Sequence, residues 1–481
     1  MTKSFLKQYI TTTLPYVNSD PHVGFALELV RADVLSRYYS LNGYDVFFNT
    51  GTDEHGLKIW ERAKNNNIPV QEYVDQYAKK FQELILLLNI SESIHFIRTT
   101  DKNHIQAAQT FWKRCDERGF IYKKQYQTKY CMGCELEKTD SELDHGKCPL
   151  HPSLELVLID EENYFFKFSA CQDFLLGFYK ENSNFVIPKT RFLEIQKFVE
   201  NGLQDFSISR LKEKMPWGIP VPGDEEQVMY VWFDALVNYI STLGWPEDLD
   251  TFESYWTEGN PIQYAGKDNL RQQSAMWQAM LYAAGLPQSK QIIINGFITS
   301  GGQKMSKSLG NVIDPLKLVE EYGADALRYY LLRHVQSFED SDMTLEKFHE
   351  AYNAHLANGI GNLVQRVMKM VTSYDVDISE VNFKDPVLAY NREYIEQFDF
   401  SKALDDIWRL IAEVDQFIAE HKPFSKIKEN PEGAHDDLRY CVRELSRIAI
   451  SLYPFLPETA EKIQEYITEK KVSEIPLFPR K

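Results

Sequence analysis

A chain of 481 residues, 43% hydrophobic and 26% charged, is too long for one core, so roughly two to four domains are expected. No apolar run approaches a membrane span and Met1 to Gln8 lacks the apolar centre of a signal peptide, which makes a cytoplasmic protein the expectation. The formal net charge of −17 excludes charge-driven, non-specific nucleic-acid binding, though not an RNA met by a local basic surface.

Taken in order, Tyr9 to Leu14 is a β-prone run that breaks at Pro15 into the polar turn Asn18-Ser19-Asp20-Pro21. His22-Val23-Gly24 then opens an apolar-periodic segment running to about Leu41 and stopping at Gly43. Unpaired backbone N–H groups and the positive end of a helix dipole suit such a start to a phosphate, although an ordinary first βα turn reads the same way. Asp45 to Asn49 is a second strand, ending in Thr50-Gly51-Thr52-Asp53-Glu54-His55-Gly56. Ligands gather at the carboxyl ends of such strands. Helical patterns at Pro69 to Leu88 and Asn103 to Arg118, with a short strand at His95 to Thr99 between them, make the first third doubly wound α/β.

From about Phe120 the texture becomes polar and aromatic. Cys131-Met132-Gly133-Cys134 and, after thirteen intervening residues, Cys148-Pro149-Leu150-His151 supply three thiolates and an imidazole, a tetrahedral set for one Zn²⁺. Six cysteines, three of them within eighteen residues, fit a metal in a reducing compartment better than a disulfide framework. All four positions are filled by protein, so the zinc is expected to be structural, supplying folding free energy to a charged segment that burial alone would not fold.

Glu162 to Ser169 reads as a strand, followed by two helical stretches to about Leu203. Three apolar strands are then expected at Gln227 to Asp234, Ile262 to Asp268 and Gln291 to Phe297, resuming the α/β sheet after an insertion. Ile298 to Asn311 (ITSGGQKMSKSLGN) places Lys304 and Lys307 three apart after Gly301-Gly302. Paired ammonium groups on a loop made mobile by two glycines can close over a polyphosphate; a solvated lysine turn is the plainer account of the two lysines alone. From Thr344 onward the pattern is helical, with segments at Leu345 to Asn358, Gly361 to Ser373, Pro386 to Phe398, Ser401 to His421, Gly433 to Tyr453 and Pro457 to Thr468, punctuated by prolines.

With LPYVNSDPHVG, GTDEHG, the four cysteine and histidine positions, FSISR, YVWFDAL, Gly266-Lys267-Asp268 and the KMSKS loop in this order, the chain resembles the methionyl-tRNA synthetases, class I aminoacyl-tRNA synthetases, over nearly its whole length. The resemblance implies a Rossmann-type catalytic domain at residues 1–118 and 205–297. A zinc-bearing insertion would span 119–204, the lysine loop and a linker subdomain 298–346, and an all-α anticodon-binding bundle 347–481. It implies methionine, ATP with Mg²⁺, and tRNA(Met) as substrates and partners, with a monomer expected. His22 and Gly24 would hold ATP, Gly266 and Asp268 would receive its adenosine, and Lys304 and Lys307 would stabilise the pyrophosphate leaving group.

By the same resemblance Asp53 would meet the substrate ammonium, where a helix N-cap before Gly56 is the plain alternative. Leu14, Tyr16, Trp232, Ala235 and Tyr239 would form the thioether pocket, for which polarizable aromatic walls are apt; Trp232 could equally be plain core. Asn362, Arg366 and Phe424 would face the anticodon, Phe424 by stacking on a base or, alternatively, by ordinary helix packing. Departures from the family pattern are Phe25 for a second histidine, Gln272-Gln273 for a Phe-His pair, Asn295 for a histidine, and Phe424 for a tryptophan. A valyl, isoleucyl or leucyl enzyme would need a larger insertion, and a cysteinyl enzyme would place its zinc in the amino-acid pocket. A small nucleotidyltransferase would not need the helical bundle, and an RNA-binding zinc module would leave Asp268, Lys304 and Lys307 unexplained.

Overall fold

The computed structural model describes residues 6–133, 136–138, 142–305, 311–379, 381 and 392–481. The chain divides into two compact units: Met1–Asp20, Phe47–Gln82 and Ile94–Ile294 form one, and Pro21–Val46, Glu83–Ser93 and Asn295–Lys481 the other.

The N-terminal elements are β1 (Lys7–Thr11), α1 (Val23–Leu41), β2 (Asp45–Thr52), α2 (Leu57–Asn65), α3 (Val70–Leu87), β3 (Ile94–Arg98) and α4 (Lys102–Glu117). The insertion contributes β4 (Ile121–Cys131), β5 (Leu136–Lys138), β6 (Val157–Phe166), α5 (Gln172–Glu181), β7 (Val186–Ile187) and α6 (Lys189–Glu200). After it come β8 (Phe206–Ser207), β9 (Ser209–Leu211), β10 (Pro220–Val221), β11 (Asp224–Met229), α7 (Val231–Ala235), α8 (Asn238–Ser241), α9 (Leu249–Phe252), β12 (Asn260–Gly266), α10 (Trp277–Ala284) and β13 (Gln291–Asn295).

The main sheet has the order β3-β2-β1-β12-β13-β7, with parallel pairing at β2/β3, β1/β12 and β13/β7. β1 is the centre from which the order runs outward both ways, the switch point at which α/β proteins place ligands. Gly51 is required in β2: a Cβ there would lie 1.8 Å from the Ile97 carbonyl oxygen of β3. The core of this unit is aromatic, with Phe111, Phe233, Trp245, Trp256 and Trp277 all buried and in ring contact.

One expectation is corrected and one strand had no sequence signal. The apolar run Gln227 to Asp234 is not one strand of this sheet: β11 ends at Met229, pairs antiparallel with β9 and β10, and α7 follows at once. Continuous burial from Gln227 to Val231 gives no alternation from which strand and helix could be told apart. Conversely, β7 is a two-residue strand inside the insertion that pairs with β13 at the edge of the main sheet, too short to carry a periodic signal. The long ladder of the insertion is antiparallel, β4 against β6 from Ile121/Phe166 to Tyr130/Val157.

The second unit continues with β14 (Ile298–Ser300), β15 (Gln303–Lys304), α11 (Pro315–Tyr322), α12 (Ala324–Arg333), β16 (Ser341–Asp342), α13 (Leu345–Ala351), α14 (Asn362–Ser373), α15 (Arg392–Glu396), α16 (Phe400–His421), α17 (Pro423–Lys426), α18 (Pro431–Leu452) and α19 (Pro457–Thr468). The helix expected from Pro386 begins outside the described residues, and α15 is its described part. Apolar stripes of α14, α16, α18 and α19 form the core. Buried charges tie α1 into this unit. Arg328 pairs with Asp33 at 2.8 Å and donates to the carbonyls of Phe455, Leu88 and Pro454.

Candidate active site and RNA-binding face

The Asp53 loop is braced from several directions. Asp53 N donates to Pro15 O at 3.0 Å and Val17 N to Asp53 O at 3.2 Å, so Tyr16 and Asp53 form an isolated parallel bridge. The next side chain, Glu54, is fully buried and accepts from Arg98 Nε at 2.7 Å, Arg98 Nη2 at 2.9 Å, Thr52 Oγ1 at 2.7 Å and Thr100 Oγ1 at 2.5 Å. His55 Nδ1 lies 2.7 Å from Asp234 Oδ2, while Trp217 Nε1 donates to Glu54 O at 2.6 Å. Gly56, at φ +117°, turns the chain into α2. Asp53 itself is buried. Its proposed alternative, capping α2, is not what the structure shows, because the N-cap is Gly56, without a side-chain cap bond.

Beside this loop a small apolar cluster gathers Tyr130, Tyr230 and Val231 with Tyr16, Met132 and Trp232 packed against them. Leu14 is half-buried in the same unit and Ala235 is buried on α7. Tyr239 packs in the large core, where its hydroxyl accepts from Gln273 Nε2 at 2.5 Å and Gln263 donates to Gln273 Oε1 at 3.3 Å. Gln273 thus steadies Tyr239. Two buried polar atoms, Trp232 Nε1 and Gln272 Oε1, have no hydrogen-bond partner among the described residues, which suits a surface that meets a polar ligand.

For the nucleotide residues, His22 is the N-cap of α1, and its Nδ1 accepts from Gly24 N at 3.1 Å. A neutral ring that accepts at Nδ1 carries its hydrogen on Nε2. A Cβ at position 24 would come within 2.9 Å of that ring. Phe25 is buried and points into the protein rather than standing in for a donor. Asn295 is engaged by Arg31, whose Nη1 donates to its Oδ1 at 2.7 Å. Gly266 closes β12, and Asp268 is exposed in the turn that follows.

The Gly301-Gly302 pair has a defined shape. Both glycines have positive φ, +61° and +74°, and form the two-residue turn between β14 and β15. The turn is pinned, since Gly302 N donates to Asp342 Oδ1 at 2.8 Å. Lys304 closes this hairpin as the partner of Thr299; its side chain, and all of Lys307, lie outside the described residues.

In the insertion, Cys131 and Cys148 are fully buried and their sulfurs lie 3.8 Å and 3.9 Å from His151 Nδ1. All three ligand atoms fall within 4.8 Å of one another. A tetrahedral zinc with two thiolates and an imidazole requires ligand separations of roughly 3.5–3.8 Å, so these residues can coordinate a metal ion. Gly133 is part of the fit, because a Cβ there would lie 2.3 Å from the His151 ring. Cys134, the fourth expected ligand, lies outside the described residues.

On the helical bundle, Asn362 is exposed at the start of α14, and Arg366, one turn on along the same face, is half-buried in an ion pair with Asp415 of α16. Burial pushes the Asp415 carboxyl up in spite of Arg366. Phe424, after Pro423 on α17, is 49% exposed.

Residues 8–155 and 152–368 match the family model described as tRNA synthetases class I (M), and residues 377–476 match the anticodon binding domain of methionyl tRNA ligase. The chain belongs to the methionyl-tRNA synthetase family. It is 40% identical over 472 residues to the methionine–tRNA ligase of Thermosynechococcus vestitus, covering 94% of this chain and 88% of the relative. Against the enzyme of Brucella suis it is 38% identical, covering 96% and 92%. Its fold superposes on Mycobacterium tuberculosis methionyl-tRNA synthetase in complex with methionyl-adenylate with a TM-score of 0.91 and 32% identity, over 98% and 97% of the two chains. The activity is that of methionyl-tRNA synthetases: ATP-dependent activation of methionine and its transfer to tRNA(Met), a ligase reaction. The parallel Rossmann-type sheet and the helical anticodon domain at the C-terminal end are those of the family. No helix among the described residues is long and apolar enough to cross a membrane.

Sequence reasoning missed Glu54, His55, Arg98, His104 and Asp234. The GTDEHG motif was visible, but the partners that hold it lie up to 179 residues away.

Proposed function

We propose that methionine binds in the first unit, its ammonium on Asp53 and its thioether among Leu14, Tyr16, Trp232, Ala235 and Tyr239. The observation that carries this reading is the Tyr16–Asp53 bridge, which fixes a carboxylate next to an aromatic wall. A buried carboxylate recognises an ammonium strongly, and aromatic faces favour a polarizable sulfur. ATP is held through His22 and Gly24 at the start of α1 and through Gly266 and Asp268, the carboxylate of Asp268 accepting from a ribose hydroxyl. Lys304 and Lys307 stabilise the pyrophosphate. The methionine carboxylate attacks the α-phosphorus and pyrophosphate leaves; a hydroxyl of the terminal adenosine of tRNA then takes the methionyl group and AMP leaves. No protein nucleophile takes part, so catalysis is positioning and charge stabilisation. Mg²⁺ accompanies ATP and supplies further charge neutralisation when bound.

Cys131, Cys134, Cys148 and His151 hold one structural Zn²⁺, an assignment supported by the three described ligands and their spacing. Lys58 Nζ donates to Gly133 O at 2.8 Å, fastening that turn to α2. Asn362, Arg366 and Phe424 face the anticodon. The boundaries proposed are 1–118 and 205–297 for the catalytic domain, 119–204 for the insertion, 298–346 for the lysine loop and linker, and 347–481 for the bundle; the chain acts as a cytoplasmic monomer.

Exchange of labelled pyrophosphate into ATP, run with each of the twenty amino acids, tests the pocket. Methionine alone should support exchange in the wild type, and Asp53→Asn should raise the methionine KM while leaving that of ATP unchanged. An unchanged methionine KM would remove Asp53 from the site.

A further inference from the structure

We infer that Asp234 is a positioning residue for methionine binding: its carboxylate, shared by His55 and His104, holds the Asp53 loop and the Trp232 helix in register. The inference rests on the proposed roles of Asp53 and Trp232.

Asp234 is wholly buried on α7, two residues after Trp232 and one before Ala235. Its two oxygens point at different elements. Oδ2 lies 2.7 Å from His55 Nδ1, in the loop two residues past Asp53, and Oδ1 lies 2.8 Å from His104 Nε2, on α4. His104 is itself fully buried, and its Nδ1 is 2.9 Å from Ser241 Oγ on α8. A carboxylate only accepts, so Nδ1 of His55 and Nε2 of His104 carry the hydrogens, while Nδ1 of His104 shares a hydrogen bond with the Ser241 hydroxyl. The result is one connected chain of Ser241, His104 and Asp234, met from the other side by His55. Burial pushes the Asp234 carboxyl up, but the two imidazoles outweigh it and hold it below the usual carboxylate range.

Packing alone does not call for such a group. An apolar side chain of similar size would fill the space without the cost of burying a charge. What the carboxylate adds is direction. In the run Asp53-Glu54-His55, the second and third side chains are anchored outward, Glu54 on Arg98 and His55 on Asp234, while the backbone is clamped by Trp217 through Glu54 O and Gly56 N. Asp53 is thereby presented by a loop whose neighbours cannot turn, and the anchor for His55 sits on the very helix that carries Trp232. A displacement of about 1 Å in such a pair is enough to cost a substrate about 100-fold.

The test is methionine-dependent ATP–pyrophosphate exchange on the full chain, with the KM for methionine and for ATP measured separately. Asp234→Asn and His55→Ala should raise the methionine KM about 10- to 100-fold and leave the ATP KM within about twofold. His55→Asn and His104→Gln keep a nitrogen donor near the lost one and should stay within about threefold of wild type. If Asp234→Asn does not fold, the His55→Ala and His55→Asn pair makes the same comparison. An unchanged methionine KM, or equal changes for both substrates, overturns the inference. Asp53→Asn serves as the reference. If it alone raises the methionine KM, the pocket stands and the role of Asp234 falls; if it has no effect, the pocket reading falls and the inference with it. Asp53→Asn combined with His55→Ala should be less than additive, as expected for residues acting on one contact.

Discussion

The Asp53 loop and the Arg366 face handle their charges in opposite ways. Around Asp53 the polar groups are buried and cross-braced, with Glu54 taking four donated hydrogen bonds and Asp234 two. On the bundle the ion pair of Arg366 with Asp415 leaves each side chain 40% exposed, and Phe424 is 49% exposed. A small amino acid offers few contacts, so its site gains most from groups fixed before binding. A single-stranded anticodon brings its own bases to stack, and exposed side chains in a solvated pair can rearrange to meet them.

The largest effect should come from the proposed zinc site, whose described ligands Cys131, Cys148 and His151 lie in the first unit. Chelation removes an apparent binding energy on the order of 10 kcal/mol. Hydrogen exchange should then show residues 131–151 losing protection while the bundle keeps its own; the purified protein should carry about one zinc per chain. Next, Arg98→Ala leaves the Glu54 carboxylate buried without its guanidinium, and chemical denaturation should show a loss of about 3 kcal/mol.

Asp325, on α12 of the second unit, breaks the simple contrast, because it is buried. Burial pushes its carboxyl up to about 6, against the opposing Arg328, while Oδ2 accepts from Thr459 N at 2.6 Å. The folded state then binds this proton more tightly than the unfolded chain, so stability from Asp325 is greatest below about pH 4 and falls as pH rises to about 6. Asp325→Asn keeps the acceptor for Thr459. It should flatten that slope and raise stability at pH 7 by about 2–3 kcal/mol, as read by denaturation at each pH.

Phe424→Ala should raise the tRNA KM in aminoacylation by about tenfold, the loss of one stacked base, with no change in pyrophosphate exchange. Smallest of all, Asp415→Asn should change stability by less than about 0.5 kcal/mol, as for other exposed pairs, while shifting the tRNA KM about threefold. A large loss of stability there would mean that the Arg366 pair is structural and the contrast false.

Much of this was legible in the sequence, for reasons the structure makes physical. The end of β1, the start of α1 at His22 and the helices of the bundle follow from turn residues and apolar periodicity, both local signals. Tyr16 and Asp53 could be suspected of a shared pocket only through the family resemblance; their backbone bridge is tertiary. The passage from β11 to α7 was misread because every residue from Gln227 to Val231 is buried, so no period marks the change. Gly301-Gly302 was read as a hinge because sequence reveals the freedom of glycine but not the Asp342 carboxylate that uses it. Glu54 and Asp234 lay inside the GTDEHG and YVWFDAL motifs but, like His104, showed nothing of their roles, since a buried polar group is defined by its partners.

The most direct test measures two constants on two variants side by side: the methionine KM in pyrophosphate exchange and the tRNA KM in aminoacylation, for Asp53→Asn and Phe424→Ala. Asp53→Asn should raise the methionine KM about 100-fold, as for the loss of one partner of a buried charge pair, and leave the tRNA KM alone; Phe424→Ala should do the reverse. If either variant moves both constants together, the separation of a pre-organised methionine site from a rearrangeable RNA face is wrong.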